Sequence, residues 1–402
     1  MIARRRYEFP VGLARMVARA AVNGGLSRGP AATVFAEMLA DHFRHGASRP
    51  DVVLTASGRS ALAVLLQRLG VAPGRTILVP AWTFAGVTDF LRANGWQVRL
   101  CDVGKDAPLM DAATIDAAWH DDIACVLYTH LFGRVADPSA LVKLAHGRGA
   151  VVIEDCAHAL GSRIAGRPVG LHGDGALFSF DVLKPVACFG GGLAVLRSGS
   201  GRHTVQGAPQ SSISVLQRVL VGVLEDGLFA GPWLRPLSVA LAHPGGRALV
   251  ANVDQLLGRR GVSAGAVSHL QGRVGMAQLL DLEPRLMRRR SMARRVLGAL
   301  GLHDPQLEED APLRANAYFN VVRAAGGERA QRLRADLLAA GIDAGVGGDI
   351  ADDLSTAVES PLMTARDWAE RALQLPGGAA FDEPVIGVLC QRLAAFRGRF
   401  VL

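Results

Sequence analysis

Between residues 50 and 200 the chain alternates short, almost wholly apolar runs with segments whose apolar positions recur every three or four residues. The runs are TILVP (76–80), QVRLCDV (97–103), IACVLYTHLFG (123–133), VVIED (151–155), ALFSF (176–180) and LAVLR (193–197). Runs this short and continuous are expected as strands buried on both faces. Between them, SALAVLLQRL (60–69), with Pro73-Gly74 beyond its end, and stretches around 84–93 and 138–147 carry helical spacing. Strands apolar on both sides must be covered on both sides. The pattern therefore predicts an α/β fold, a large mostly parallel sheet covered by helices. Ligands of such sheets bind outside the carboxyl ends of the strands, so the residues that follow each run are the candidates for a site.

The rhythm breaks at 205–262, which is apolar and helix-prone but interrupted by Glu225-Asp226 and by prolines. Beyond it, 269–300 reads as long helical material with an Arg-rich face. NAYFNVV (316–322), RAQRLRADLLAAG (329–341) and a final helix after Asp382 suggest a smaller α/β domain. The expected division is an N-terminal helical arm (1–45), a large α/β domain (46–204), an apolar helical insertion (205–262), and a helix with a small C-terminal α/β domain (263–402).

Half of the 402 residues are hydrophobic and 20% are charged, which excludes a disordered chain. The net charge of +8 is carried almost wholly by arginine, with lysine only at 105, 143 and 184. There is no Lys/Arg block and no interleaving of aromatic and basic residues, so nucleic acid is not an expected partner. The five cysteines form no CxxC pair, so neither a disulfide framework nor a metal site is expected. The basic start is broken up by arginines, lacking the apolar core of a signal peptide, and no apolar run reaches the length of a membrane span. A cytoplasmic location is the expectation.

The rarity of lysine draws attention to Lys184, which lies between a buried run and the triple glycine 190–192. A lysine in apolar surroundings must be paired, neutralised or used covalently, and desolvation makes its amine more nucleophilic. Snorkelling out of a strand end is the simpler alternative. Asp155 ends VVIED, where an acid would face a ligand and could keep a heterocyclic nitrogen protonated. It could equally cap a following helix. His158 is placed to line the same site or to be a structural histidine. Ser57-Gly58-Arg59-Ser60 opens a helix whose first-turn amides suit an anion, although ordinary capping explains the same residues.

In this order the segments resemble those of the DegT/DnrJ/EryC1/StrS sugar aminotransferases, from about 50 to 200 and again from about 265 onward. SGRSAL is similar to the family's SGTAAL, VPAWTF to VPSFTF, YTHLFGRVAD to VHLYGQPAD, VVIEDCAHALG to VIEDAAQAHG, and FSFDVLK to FSFYPTK. The resemblance implies the type I pyridoxal 5'-phosphate fold, with 46–204 binding the cofactor. It makes Lys184 the Schiff-base lysine and proton-transfer base, and Asp155 the partner of the pyridinium nitrogen. Phe84 would stack on the ring, His158 lie near it, and Gly58, Arg59, Ser60 and Ser179 hold the phosphate. It further implies a homodimer, a small-molecule amino donor (glutamate in the family's usual pattern) and a keto-sugar or related ketone acceptor. The family's dehydratase branch has histidine in place of the lysine, so Lys184 favours amino transfer.

Two departures stand out. AGAVSHLQGR (264–273) replaces the family's NYRMSELQAA, and GVGGDIADDL (345–354) replaces a GVHYP-like segment. Both normally shape the cofactor and sugar-nucleotide pocket. They leave room for a lipid-linked acceptor, for another reaction on the same cofactor, or for a regulatory or membrane-associated homologue without catalysis. A peripheral membrane contact would run through 205–262 or the basic N-terminus. The simpler reading is that these apolar faces pack on the protein's own body.

Overall fold

A computed structural model describes residues 1–23, 25–197, 200–230, 265–357 and 362–402. The large sheet has eight strands, β1 (Asp51–Thr55), β2 (Thr76–Pro80), β3 (Gln97–Cys101), β4 (Ile123–Thr129), β5 (Val151–Asp155), β6 (Gly175–Ser179), β7 (Gly192–Leu196) and β8 (His203–Val205). Their order across the sheet is β8-β1-β7-β6-β5-β4-β2-β3. Every neighbouring pair is parallel except the two that involve β7, which runs against both β1 and β6. The expected mostly parallel α/β sheet is present. The antiparallel strand follows a connection over residues 180–191 that contains no helix, so the chain returns beside β6 in the reverse direction. The first strand, DVVLT, was not among the runs singled out above; it is short and passes straight into Ala56–Ser57–Gly58.

Helices Gly58–Arg68, Ala85–Ala93 and Ser139–Gly147 fall where the spacing placed them, and Ala31–His42 and His269–Leu280 cover the sheet as well. Apolar side chains of the sheet and its helices form two cores; one includes Leu62, Leu65, Ile77, Val126 and Ile153, and the other Phe35, Leu54, Phe178, Phe180 and Leu193. Each such side chain stabilises the fold by about 1.5–3 kcal/mol on burial.

The helical stretch at 269–300 is two helices, His269–Leu280 and Leu282–Ala299, broken at Asp281. Beyond them a smaller antiparallel sheet orders β10 (Gly345–Val346), β11 (Ala372–Leu375), β9 (Asn320–Ala324) and β12 (Phe400–Val401). Helices Ala330–Ala339 and Glu383–Leu393 pack on it through Leu333, Leu337, Leu389 and Leu393. β9 begins later than NAYFNVV suggested. The Asn316 side chain donates to the backbone carbonyls of His158 and Leu160, and its carbonyl accepts from the Tyr318 amide, so 315–319 follows the large domain instead of the small sheet.

The N-terminal residues form a strap between the two sheets. The Ile2 amide donates to Gly341, and Gly377 donates to the Arg4 carbonyl. Buried Glu8 accepts from Arg285, from Arg289 and from the Ala379 amide at 2.7 Å. Helix Ser212–Ala230 buries Val215 and Val219 against Leu13, Ala20, Phe189 and Leu270. The rest of the expected insertion, 231–262, lies outside the described residues. Among those described, no helix is long and apolar enough to cross a membrane.

Candidate active site

The carboxyl ends of β1, β5 and β6 and the turn after β6 bring most of the expected residues to one place. Thr55 on β1, Gly192 on β7 and Ser179 on β6 share a row across the sheet. The helix that follows β1 therefore starts beside Ser179: a Cβ added at Gly58 would lie 3.4 Å from the Ser179 Cβ. Ser57 caps this helix by accepting from the Ser60 amide at 3.1 Å, and the two hydroxyls are 3.0 Å apart. Capping and anion binding are thus compatible readings, because the first-turn amides of a helix have no partner inside it. Gly192 makes the turn possible. A Cβ there would lie 2.3 Å from the carbonyl carbon and oxygen of Ser57.

Asp155 is buried at the end of β5. One carboxylate oxygen accepts from the Ala157 amide at 3.0 Å. The residues after it form a turn, so the helix that a capping aspartate would serve is not there. Burial raises the Asp155 carboxyl above its ordinary value, while the Ala157 amide, Lys184 and His130 oppose the rise. Burial pushes His158 well below its usual range, and Lys184 adds to the effect. Neutral His158 accepts from the Phe132 amide at Nδ1 (3.2 Å), which leaves Nε2 as the ring's donor.

Lys184 lies on the turn between β6 and β7, not at a strand end. Its amide donates to Asp181, and its Nζ stands 5.4 Å from the centroid of the Tyr318 ring. The turn is held from behind. Buried Arg285 donates to the Pro185 carbonyl at 2.8 Å, and Gln278 accepts from the Ala187 amide at 3.0 Å. A flexible side chain on so fixed a backbone reaches a small volume, as an amine that must meet a reacting carbon requires.

Beneath Asp155 lies a second buried layer. Glu154 accepts from His130 Nε2 (2.9 Å) and from the amides of Gly170, His172 and Gly173. The His130 amide in turn donates to the Asp155 carbonyl. Burial raises the Glu154 carboxyl, but His130 and the Gly173 amide prevail and bring it down to about 2. His130, Glu154 and Cys156 have atoms of metal-binding type within 4.8 Å of one another. The Glu154 carboxylate is already filled by four donors, and it reads as the anchor of the 170–173 turn.

Phe84 is placed differently. It is the residue before helix Ala85–Ala93, its ring lies over Gly86, and it is 59% exposed. It makes no ring contact with the other aromatic residues described. Asp352 fixes its backbone by accepting from the Ala85 amide at 2.7 Å, while Asp352–Asp353 pair with Trp82–Thr83. The divergent GVGGDIADDL segment therefore builds the edge of the site.

Sequence reasoning passed over Tyr318. It stacks on His158 at 4.5 Å and on Phe319 at 4.2 Å, and sits under the Lys184 amine. Only an aromatic pair in NAYFNVV hinted at it. A cavity of about 750 Å³ lined by His42, Arg163, Glu283, Glu309 and Arg314 lies elsewhere and shares no residue with this cluster.

The fold is that of aminotransferases. A Streptococcus pneumoniae protein described as a candidate sugar aminotransferase, solved in its PLP form, superposes with a TM-score of 0.73 over 98% of each chain at 17% identity. At that identity the likeness speaks for the fold. Residues 12–218 match the model of the DegT/DnrJ/EryC1/StrS aminotransferase family, and the chain belongs to that family. It is 36% identical over 140 residues to the L-glutamine:scyllo-inosose aminotransferase of Streptomyces griseus, covering 35% of this chain and 33% of that one. It is 35% identical over 140 residues to the dTDP-3-amino-3,4,6-trideoxy-alpha-D-glucose transaminase of Streptomyces venezuelae, covering 35% and 37%. The matches thus span little more than a third of these relatives' length.

The residues present fit pyridoxal phosphate, the cofactor the family implies. A half-satisfied buried carboxylate, an amine on a fixed turn, and a glycine-flanked helix start suit its ring nitrogen, aldehyde and phosphate in turn.

Proposed function

We propose that the protein is a pyridoxal-phosphate-dependent aminotransferase that moves an amino group from an amino-acid donor to a keto carbon of a sugar or related cyclic polyol. The observation that carries this reading is the Lys184 amine, held on a pinned turn and close enough to buried Asp155 and His158 to act on both electrostatically. When bound, the cofactor supplies an aldehyde for capturing amines and a ring that withdraws electrons from the carbon next to the nitrogen.

The chain's own residues do the rest. The first-turn amides of Gly58 and Arg59, with the hydroxyls of Ser60 and Ser179, bind the phosphate. The free oxygen of Asp155 holds a proton on the ring nitrogen, and the buried setting strengthens that bond. Phe84 covers one ring face, its exposed side chain being available for that contact. Lys184 Nζ would hold the cofactor through its aldehyde and, with the donor in place, would serve as the base that moves the proton. Neutral His158 offers Nε2–H within the same cleft. Glutamate is the donor the family pattern suggests, and glutamine is the donor named for one relative. A homodimer belongs to the same reading.

The visible absorption spectrum of the purified protein supplied with cofactor tests this. A band from lysine-bound cofactor that bleaches with glutamate or glutamine, and is absent in Lys184→Ala, is expected. A wild-type protein that takes up no cofactor would overturn the reading and leave a regulatory role for the fold.

A further inference from the structure

The turn that carries Lys184 depends on its surroundings for its shape. Residues 180–191 contain no helix, and Phe189 has a φ of 59°, a left-handed conformation that a bulky side chain keeps only when its neighbours impose it. Two adjacent residues of the N-terminal strap reach this turn. Phe9 stacks on Phe189 with ring centroids 5.6 Å apart. Glu8 is joined to the middle of the turn by two buried side chains. Arg285 Nη1 donates both to the Glu8 carboxylate at 3.2 Å and to the Pro185 carbonyl at 2.8 Å. Gln278 donates through Nε2 to the Glu8 carbonyl at 2.8 Å, and its Oε1 accepts from the Ala187 amide at 3.0 Å. Pro185 is the residue next to Lys184, so the brace acts one peptide unit from the amine's own backbone.

The Glu8 carboxylate is shared by two arginines, which separates its two effects. Arg289 binds it through Nε and Nη2, and the hydrogen bonds of Arg289 with described residues all end on Glu8. Arg285 alone of the pair continues to the lysine turn. Without the Glu8 carboxylate, the anion left beside Arg285 is half-exposed Asp281, 3.5 Å from its Nε. A buried cation that loses one partner is drawn toward the other, and the hold on Pro185 slackens. Resting on the aminotransferase reading above, we propose that Glu8 is a positioning residue for Lys184: through Arg285 and Gln278 it fixes Pro185 and Ala187 and so aims the amine at the cofactor's aldehyde.

The test follows capture of pyridoxal phosphate, without turnover. Glu8→Gln keeps the size of the side chain and removes its charge. It should form the lysine-bound absorption band about 10- to 100-fold more slowly than wild type, the scale expected when a reacting group is misplaced by up to about 1 Å. In a Lys184→Ala background the same substitution should leave cofactor affinity unchanged, read from quenching of tryptophan fluorescence, because its effect runs through the amine. A merely structural role would weaken binding in both backgrounds. Arg289→Gln removes a comparable ion pair from Glu8 and should capture cofactor at the wild-type rate. Arg285→Gln cuts the link from the other side, so the test does not hang on one variant folding; it should match Glu8→Gln, and the double variant should be no slower than either. Glu8→Asp, which keeps the charge, should recover part of the rate. Capture at the wild-type rate in Glu8→Gln would overturn the assignment, as would equal slowing in Arg289→Gln or an equal loss of affinity in the Lys184→Ala background. A wild type that forms no band would sink the parent reading, an outcome distinct from each of these.

Discussion

Replacing Gly192 by alanine puts the closest contact in the site under direct strain. The new methyl would lie 2.3 Å from both the carbonyl carbon and oxygen of Ser57 and 2.5 Å from the Gly58 nitrogen. Ordinary contacts between such atoms need about 3.5 Å, so roughly 1 Å of backbone must move. Neither side yields easily, since β7 is paired on both edges and Ser57 is held by its own cap. Overpacking costs about 1–3 kcal/mol, and backbone on both sides argues for the upper end. That corresponds to a fall of roughly 5–10 °C in melting temperature for a domain of this size. The yielding turn also carries the amides assigned to the phosphate. Losing one charge-assisted bond of about 1.5–3 kcal/mol weakens pyridoxal phosphate binding about 10- to 100-fold. Titration with pyridoxal, which has no phosphate, separates the two effects because its affinity should hold. Gly58→Ala is the comparison, since its Cβ meets the Ser179 Cβ at an unremarkable 3.4 Å. An unchanged melting temperature and cofactor affinity in Gly192→Ala would refute this account of the turn.

Other outcomes follow from the buried charges. The folded Glu154 carboxyl, at about 2, lies below its value in an unfolded chain. Its contribution of about 3 kcal/mol is therefore fully present above roughly pH 4.5 and is lost as pH falls through 2. Urea melts should show Glu154→Gln well below the wild type at pH 7 and the gap narrowing toward pH 3; a gap that is constant with pH would refute the sign. Glu8→Ala leaves Arg285 and Arg289 buried without their shared carboxylate, a loss of about 3–5 kcal/mol. Limited proteolysis should then cut within the first ten residues of the variant while sparing the wild type.

The sheet was legible because its strands are covered on both faces, which turns each into an unbroken apolar run such as VVIED or TILVP. The reversal of β7 was not, since a strand buried on both faces looks the same in either direction. Asp155 stood out as a polar residue ending an apolar run, and Lys184 as one of three lysines in the chain. Tyr318 did not, because its position depends on Asn316 binding the carbonyls of His158 and Leu160, more than 150 residues earlier in the chain. Phe84 was found by segment likeness alone, and its exposure gave no signal that a sequence pattern could carry.

The strap also orders events in time. Residues 2 to 8 are synthesised long before their partners, for they hydrogen-bond to Gly341, Gly377 and Ala379. Contacts so distant in sequence form late, because the loops they close are hundreds of residues long. Through Glu8 and Arg285 that late contact reaches the carbonyl after Lys184. The large sheet can assemble while synthesis continues, but the lysine turn acquires its final support only once residue 379 is available. A nascent chain halted short of that point would carry the lysine and lack the brace that aims it.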